Sequence, residues 1–357
     1  MTALKKEFPA LDSYTYLNTA SCGLLSQSLV DWRHQHDRKL LAAGSEFRDQ
    51  HRAHVTRIKS TVARIFNASE NEIALVPNFS FGCNTFLEGL PRKQKILLLD
   101  QDYPSVNWAV EHRDFDVCYA AIDANLEQNI EQAIATHQPD VFMFSIVQYL
   151  SGIKIDMEFL TRIKAYHPNL LLVADGTQYL GTEPFSFADS PFDVLGASGY
   201  KWLLAGYGNG IFMVKEGIHQ QVYPSTIGFN SAEAAYSKRE EIDFIRHFEP
   251  GHQDTLNFGS LEQSLLSLES IGLAKIQEKL SALKQYAFTK FSEANLLEPA
   301  ILERKDHAPI YTIKGNETLF RRFKEHGIIC SQRGNGIRVS FHYYNTQKDL
   351  DRLLDLV

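Results

Sequence analysis

Two residues of this chain stand in a pattern that could do covalent chemistry. Lys201 lies in Ser198-Gly199-Tyr200-Lys201-Trp202, and Asp175 lies 26 positions earlier, in Val173-Ala174-Asp175-Gly176-Thr177-Gln178. The run Leu170–Ala174 reads as a strand buried on both faces, so Asp175 at its carboxyl end needs a positive partner to offset its desolvation. Lys201 follows a second apolar run, Asp193–Ala197, and a buried lysine has a lowered pKa and a more available neutral amine. An amine of that kind forms a Schiff base with an aldehyde cofactor, and a carboxylate keeps a pyridine nitrogen protonated. The pair therefore matches what pyridoxal phosphate (PLP) chemistry requires. Taken singly, an aspartate that caps a turn and a surface lysine would look the same.

Three further segments hold groups such a site would use. Asn78-Phe79-Ser80-Phe81-Gly82 follows one strand pattern and opens a helical one. Its backbone N–H groups and the Ser80 hydroxyl could take a phosphate, although helix capping alone explains a serine there. Tyr103, just after the strand pattern Lys95–Leu99, could stack on a flat ring or sit in a surface turn before Pro104. In Ile337-Arg338-Val339-Ser340-Phe341 the alternation sets Arg338, Ser340 and His342 apart from Ile337, Val339 and Phe341. Arg338 could grip a carboxylate with two parallel hydrogen bonds, and an exposed strand arginine would show the same pattern. The small residues Gly196, Ala197, Ser198 and Gly199 are expected to leave room for a planar cofactor, and Gly206, Gly208 and Gly210 to allow tight turns behind Lys201.

The elements that would position these residues follow from hydrophobic patterning. Strands are expected at Glu72–Val76, Lys95–Leu99, Phe115–Tyr119, Val141–Ile146, Leu170–Ala174, Val194–Ala197 and Gly210–Val214. Helical patterns at Glu127–Thr136 and Met157–Tyr166 fall between them, and two polar helices (Ser28–Ala42, His51–Phe66) come first. Such alternation predicts an α/β fold with a mainly parallel, helix-covered sheet, whose ligands lie beyond the carboxyl ends of the strands. After a break at Glu249-Pro250-Gly251 come a helix over Gly259–Phe291, the strand Gly336–Phe341 and the helix Thr346–Leu356. The expected organisation is an N-terminal segment (1–15), a large domain (16–250) and a small α+β carboxyl-terminal domain (251–357).

The 357 residues are 44% hydrophobic and 22% charged, with a formal net charge of −7, which argues against a nucleic-acid surface. Met1 to Pro9 has no apolar core of a signal peptide, and no apolar run approaches the ~20 residues of a membrane helix. The four cysteines, Cys22, Cys83, Cys118 and Cys330, form no CxxC pair, so a reducing, cytoplasmic setting is expected, without structural zinc. No Gly-x-Gly-x-x-Gly, Walker lysine or metal-ligand spacing is present.

Together the segments resemble the class V aminotransferase family of fold-type I PLP-dependent enzymes, which includes cysteine desulfurases, selenocysteine lyases, isopenicillin N epimerase-like proteins and kynureninases. The resemblance runs from Tyr16-Leu17-Asn18-Thr19-Ala20 to Tyr344-Asn345-Thr346. It is most specific at Asp175-Gly176-Thr177-Gln178, Ser198-Gly199-Tyr200-Lys201, Phe248-Glu249-Pro250-Gly251 and Ile337-Arg338-Val339-Ser340. It implies that Lys201 carries the Schiff base and Asp175 binds the pyridine nitrogen. It further implies that Gln178 meets the phenolic oxygen and that Ser80 and Ser198 hold the phosphate, with Phe79 and Tyr200 beside it. Tyr103 would stack on the ring and Arg338 would bind the substrate carboxylate. It also implies a homodimer with active sites at the interface, where the segment after Glu249-Pro250-Gly251 reaches the neighbouring subunit's phosphate. His252 stands there where the family usually has threonine.

The expected activity is that of a PLP-dependent enzyme acting at Cα of an amino acid, of aminotransferase or epimerase type. The alternatives are a cysteine or selenocysteine lyase, kynureninase-like cleavage, and a catalytically silent PLP-binding protein. Against a persulfide-forming desulfurase stands Cys330, which directly follows Ile328-Ile329 and reads as a strand residue, not an exposed loop thiol.

Overall fold

The computed structural model describes residues 6–357 apart from 233, 234, 236, 238–240 and 305. Residues 1–5 of the expected N-terminal segment lie outside the described residues. The strands, in chain order, are β1 (Thr15–Tyr16), β2 (Ile73–Val76), β3 (Lys95–Leu99), β4 (Asp116–Ala120), β5 (Val141–Ser145), β6 (Leu171–Asp175), β7 (Val194–Ser198), β8 (Gly210–Val214), β9 (Ile310–Lys314), β10 (Ile328–Ile329), β11 (Ser331–Arg333) and β12 (Gly336–Ser340). Helices of eight residues or more are α1 (Gln27–Ala43), α2 (His51–Phe66), α3 (Phe79–Gly89), α4 (Pro104–Glu111), α5 (Leu126–His137), α6 (Met157–Tyr166), α7 (Thr255–Ile271), α8 (Leu273–Glu293), α9 (Glu317–Glu325) and α10 (Gln347–Leu354).

Strands β5 to β8 are buried at every position because helices cover both faces of their sheet. The seven strands run in the order β2-β8-β7-β6-β5-β3-β4. Pairing is parallel from β4 through β7, and β8 runs antiparallel to both of its neighbours. The expected mainly parallel α/β sheet is therefore present. Its strand alternation separates two apolar cores: Leu97, Phe144 and Leu172 point into one, Leu98, Met143 and Val173 into the other. Strand β4 at one edge alternates between exposed and buried positions. At the other edge β2 is covered, and its Leu75 N–H donates to the Glu249 carboxylate at 2.8 Å. Glu249 is fully buried and pairs with Lys59 of α2 at 2.8 Å. The Phe248-Glu249-Pro250-Gly251 segment thus closes a sheet edge that would otherwise expose unpaired donors.

A smaller antiparallel sheet, β11-β12-β9, carries Arg338. Residues 15–23 stitch this sheet to the Lys201 region. Strand β1 pairs in parallel with β10, Asn18 bridges Ser340, and Gly23 N–H donates to the Tyr200 carbonyl at 2.8 Å. That approach needs glycine, because a Cβ at Gly23 would meet the Lys201 carbonyl oxygen at 2.1 Å. Helix α7 packs against α1 and α2, and the Arg57–Glu262 ion pair at 2.9 Å locks α2 to it.

Two expectations need correction. The single helix over Gly259–Phe291 is two helices, α7 starting at Thr255 on an Asp254 cap, and α8. Gly272 breaks them with φ +93°, a conformation open to glycine, while the apolar pattern continues through the break and hides it. Cys330 is not a strand residue. It is the single position between β10 and β11, where the chain passes from one small sheet to the other, and it is still buried.

Removing the Glu249 carboxylate leaves the Lys59 ammonium and the Leu75 N–H without their partner. Glu249→Ala is expected to destabilise the fold by about 3 kcal/mol, read as a lowered urea midpoint with an unchanged slope. A midpoint within a few tenths of a kcal/mol of the parent's would show that β2 is not held this way.

Candidate functional site

The carboxyl ends of β3, β5, β6 and β7 lie along one edge of the large sheet, and the chemistry-bearing residues sit there. Asp175 is the last residue of β6, and Lys201 comes three residues after β7. Both are buried, at 6% and 5% exposure, which removes the surface-lysine alternative. Asp175 accepts the Thr177 N–H at 2.8 Å. Burial raises its pKa to about 6, against the pull of Thr177 and Lys201. Burial also lowers Lys201 to about 8, with Asp175 opposing and the Arg338 and Arg333 charges adding to the fall. The two groups therefore face each other electrostatically, each partly stripped of water. The ammonium lies 5.3 Å from the Tyr103 ring centre and 5.6 Å from that of Tyr200.

Tyr103 is half-buried at the start of α4. Its ring meets Tyr149 edge-on at 5.2 Å. Asp102 fixes this turn, accepting the Tyr103 N–H at 2.6 Å and the Ser145 N–H at 2.7 Å. Its carboxyl is raised by burial, against those hydrogen bonds. Sequence reading assigned Asp102 no role; it lies three residues past β3, and its hydrogen bonds to backbone N–H groups leave no trace in residue types. Tyr200 stacks on exposed Tyr207 at 4.8 Å.

Arg338 is buried at 3% exposure, so it is not an exposed strand arginine. One terminal nitrogen donates to the Tyr149 carbonyl at 2.7 Å, while its Nε–H is buried without an acceptor. Burial lowers its pKa to about 10, helped by the charge of Arg333. Sequence reading gave neither Tyr149 nor Arg333 a role in the site. A carbonyl contact leaves no trace in residue types, but Arg333 is only five positions from Arg338.

At the start of α3 the cap is Asn78, which accepts the Phe81 N–H at 2.9 Å, so Ser80 is not the capping residue. The Ser80 hydroxyl donates to Ser105 at 2.8 Å. Ser198 accepts the Phe79 N–H at 3.0 Å, tying the end of β7 to the start of α3. The Phe79 ring belongs to the core, near Phe212. Gln178 is engaged twice, donating to the Ala20 carbonyl at 2.9 Å and accepting the Trp202 indole N–H at 2.7 Å. One of its amide N–H groups is left for a ligand. His252 is exposed, stacks on Phe229 at 4.8 Å and meets His51 at 6.0 Å. Its described contacts do not join the Lys201 cluster.

The small residues before Lys201 do not open a slot. A Cβ at Gly196 would meet the Phe212 ring at 2.5 Å, and one at Gly199 the Asn209 side chain at 2.0 Å. Those positions are small because the protein's own side chains fill the space.

Pyridoxal phosphate fits this donor set. A buried amine could answer its aldehyde, a buried carboxylate its ring nitrogen, and the first turn of α3 with Ser80 and Ser198 its phosphate. The buried Arg338 Nε–H has no acceptor and could take an anionic group of a ligand.

The family model for aminotransferase class V matches residues 16–353. An uncharacterized aminotransferase of Bacillus subtilis, YcbU, is 24% identical, with 98% of this chain and 95% of that protein covered. Isopenicillin N epimerase of Amycolatopsis lactamdurans is 23% identical, with 98% and 96% covered. Among solved structures, a C-DES variant with glycine covalently linked to its PLP cofactor superposes with a TM-score of 0.88 at 17% identity, with 99% and 98% covered. At that identity the superposition shows the fold, and the family match shows the lineage: the chain belongs to the aminotransferase class V family.

Proposed function

We propose that this protein is a PLP-dependent enzyme that acts at Cα of an amino acid, of the aminotransferase or epimerase type. The observation that carries the reading is the burial of Lys201 opposite Asp175 at adjoining strand ends, with Arg338 buried nearby and one donor unpaired. Lys201 would hold the cofactor through its amine and Asp175 would hold its ring nitrogen. When bound, the cofactor supplies an electron sink for charge developing at Cα.

The chain's own residues do the rest. Arg338 receives the substrate α-carboxylate and so orients the Cα–H bond. Lys201, with a pKa near 8, takes and returns the Cα proton, since a base poised close to neutral pH serves both directions. Asp175 stays ionised against a cationic ring, because that charge replaces the water lost on burial. Tyr103, pinned by Asp102, limits where the ring can lie. In the same proposal the protein is a homodimer, and exposed His252, beside Phe229 and His51, reaches the partner's phosphate.

A persulfide-forming desulfurase that uses Cys330 is disfavoured on local grounds. Burial pushes the Cys330 thiol up to about 12, and a thiol that stays protonated is a poor nucleophile.

Borohydride treatment of the PLP-loaded protein, followed by peptide mass mapping, is expected to place a pyridoxyl group on the Lys201 peptide. Exchange of amino-acid Cα–H in D2O, followed by NMR, is expected to fall by ~10²–10⁴-fold in Lys201→Ala. A label on another lysine would sink the assignment, and an absence of exchange in the parent would favour a binding-only protein.

Asp175 also makes a pH-dependent cost. Its folded pKa of about 6 lies above the unfolded value of about 4. The folded chain holds the extra proton between these values, so stability falls as pH rises through that window and the cost is constant above it. In cofactor-free protein, Asp175→Asn is expected to gain stability on the parent between pH 4 and 6, by on the order of 2 kcal/mol, in urea unfolding. A flat difference across that range would contradict the buried-charge account.

A further inference from the structure

The hairpin that carries Arg338 carries a second guanidinium on the same face. Ser331 of β11 pairs with Arg338 of β12, and Arg333 pairs with Gly336, in antiparallel register. Directly opposed residues point to one side of a sheet, and positions two apart on a strand return to that side. Arg333 and Arg338 are thus diagonal neighbours, ~7–8 Å apart at the backbone, within reach of one another's long side chains. Glycine opposite Arg333 puts no side chain across from it on the neighbouring strand. Arg338 is buried while Arg333 is exposed, so the hairpin sets one guanidinium deep and the other at the rim.

Arg333 makes no ion pair with any described residue. Its charge nevertheless reaches both Lys201 and Arg338, contributing to the lowering of each. The carboxylates facing this cluster are Asp175 and Asp102, both buried and held by backbone N–H groups. Three cationic side chains therefore gather at a site whose acids are already engaged, in a chain with a net charge of −7. A cationic mouth on an anionic protein attracts small anions and repels small cations.

We infer that Arg333 determines specificity by taking a second anionic group of the substrate. The substrate class is then amino acids with an acidic side chain, the α-carboxylate on Arg338 and the distal carboxylate on Arg333. The amino-acid part of this inference rests on the PLP reading proposed above; the two carboxylate contacts require only the hairpin.

The test is calorimetric titration of PLP-loaded protein with succinate and glutarate, against propionate and butyrate. The dicarboxylates are expected to bind about tenfold tighter or more than monocarboxylates of matching length, since a charge-assisted guanidinium pair is added. Arg333→Gln is expected to reduce dicarboxylates to the monocarboxylate level, with bound cofactor and monocarboxylate affinity unchanged. Arg333→Lys should keep part of the preference. Retained visible absorption of the cofactor shows that each variant is folded at the site. Equal affinity for both ligand classes in the parent, no binding of either, or a preference that survives Arg333→Gln would each overturn the inference. If PLP fails to attach at Lys201, the functional reading above is lost, while a dicarboxylate preference abolished by Arg333→Gln would still stand in the cofactor-free protein.

Discussion

Everything around the site depends on keeping an ammonium and a carboxylate dry at the ends of two neighbouring strands. Burial works against both charges, pushing Lys201 down and Asp175 up. Their attraction offsets only part of that cost, because two ions withdrawn from water need hydrogen bonds as well as each other. Asp175 has one from Thr177, and Lys201 has aromatic faces instead. Such a site is poor as a structural device and well suited to receiving a ligand with an aldehyde and a cationic ring.

The surrounding fold can be understood as support for that unfavourable arrangement. A sheet buried on both faces supplies rigid strand ends, and its two cores hold them from either side. Residues 15–23 tie the small sheet to the Lys201 turn, Gly23 donating to the Tyr200 carbonyl and the Ala20 carbonyl accepting from Gln178. His342 donates from Nε2 to the Trp202 carbonyl at 2.9 Å, so the segment that follows β12 reaches back to the residue after Lys201. Arg338 is thereby held beside residues more than 130 positions earlier, Tyr149 and Lys201. At the far edge of the sheet, Glu249 covers β2. The motif around it thus has a structural task in this chain, whatever its neighbour His252 does.

The electrostatics of the mouth differ from those of the whole. The chain is acidic, yet Lys201, Arg338 and Arg333 gather where the substrate would enter. Net charge describes solubility and long-range behaviour, while selectivity comes from which charges a fold brings together.

Residue order alone was enough to reveal the alternating strands and helices, because buried parallel strands write unbroken apolar runs and covering helices write a different period. Asp175 and Lys201 were legible as charged residues at or just past the ends of such runs, and Arg338 as a charged residue inside an alternating one. Three-dimensional packing decided what periodicity cannot express. The break at Gly272 depends on one backbone angle inside a continuous helical pattern. The smallness of Gly196 and Gly199 serves Phe212 and Asn209, partners distant enough in sequence to be invisible locally. The capping role of Asn78 in place of Ser80, the hold of Asp102 on the Tyr103 turn, and the shared face of Arg333 and Arg338 come from hydrogen-bond directions and strand register. A sequence carries the types and spacing of its side chains; which of them meet is set by long-range contacts that exist only once the sheet has formed.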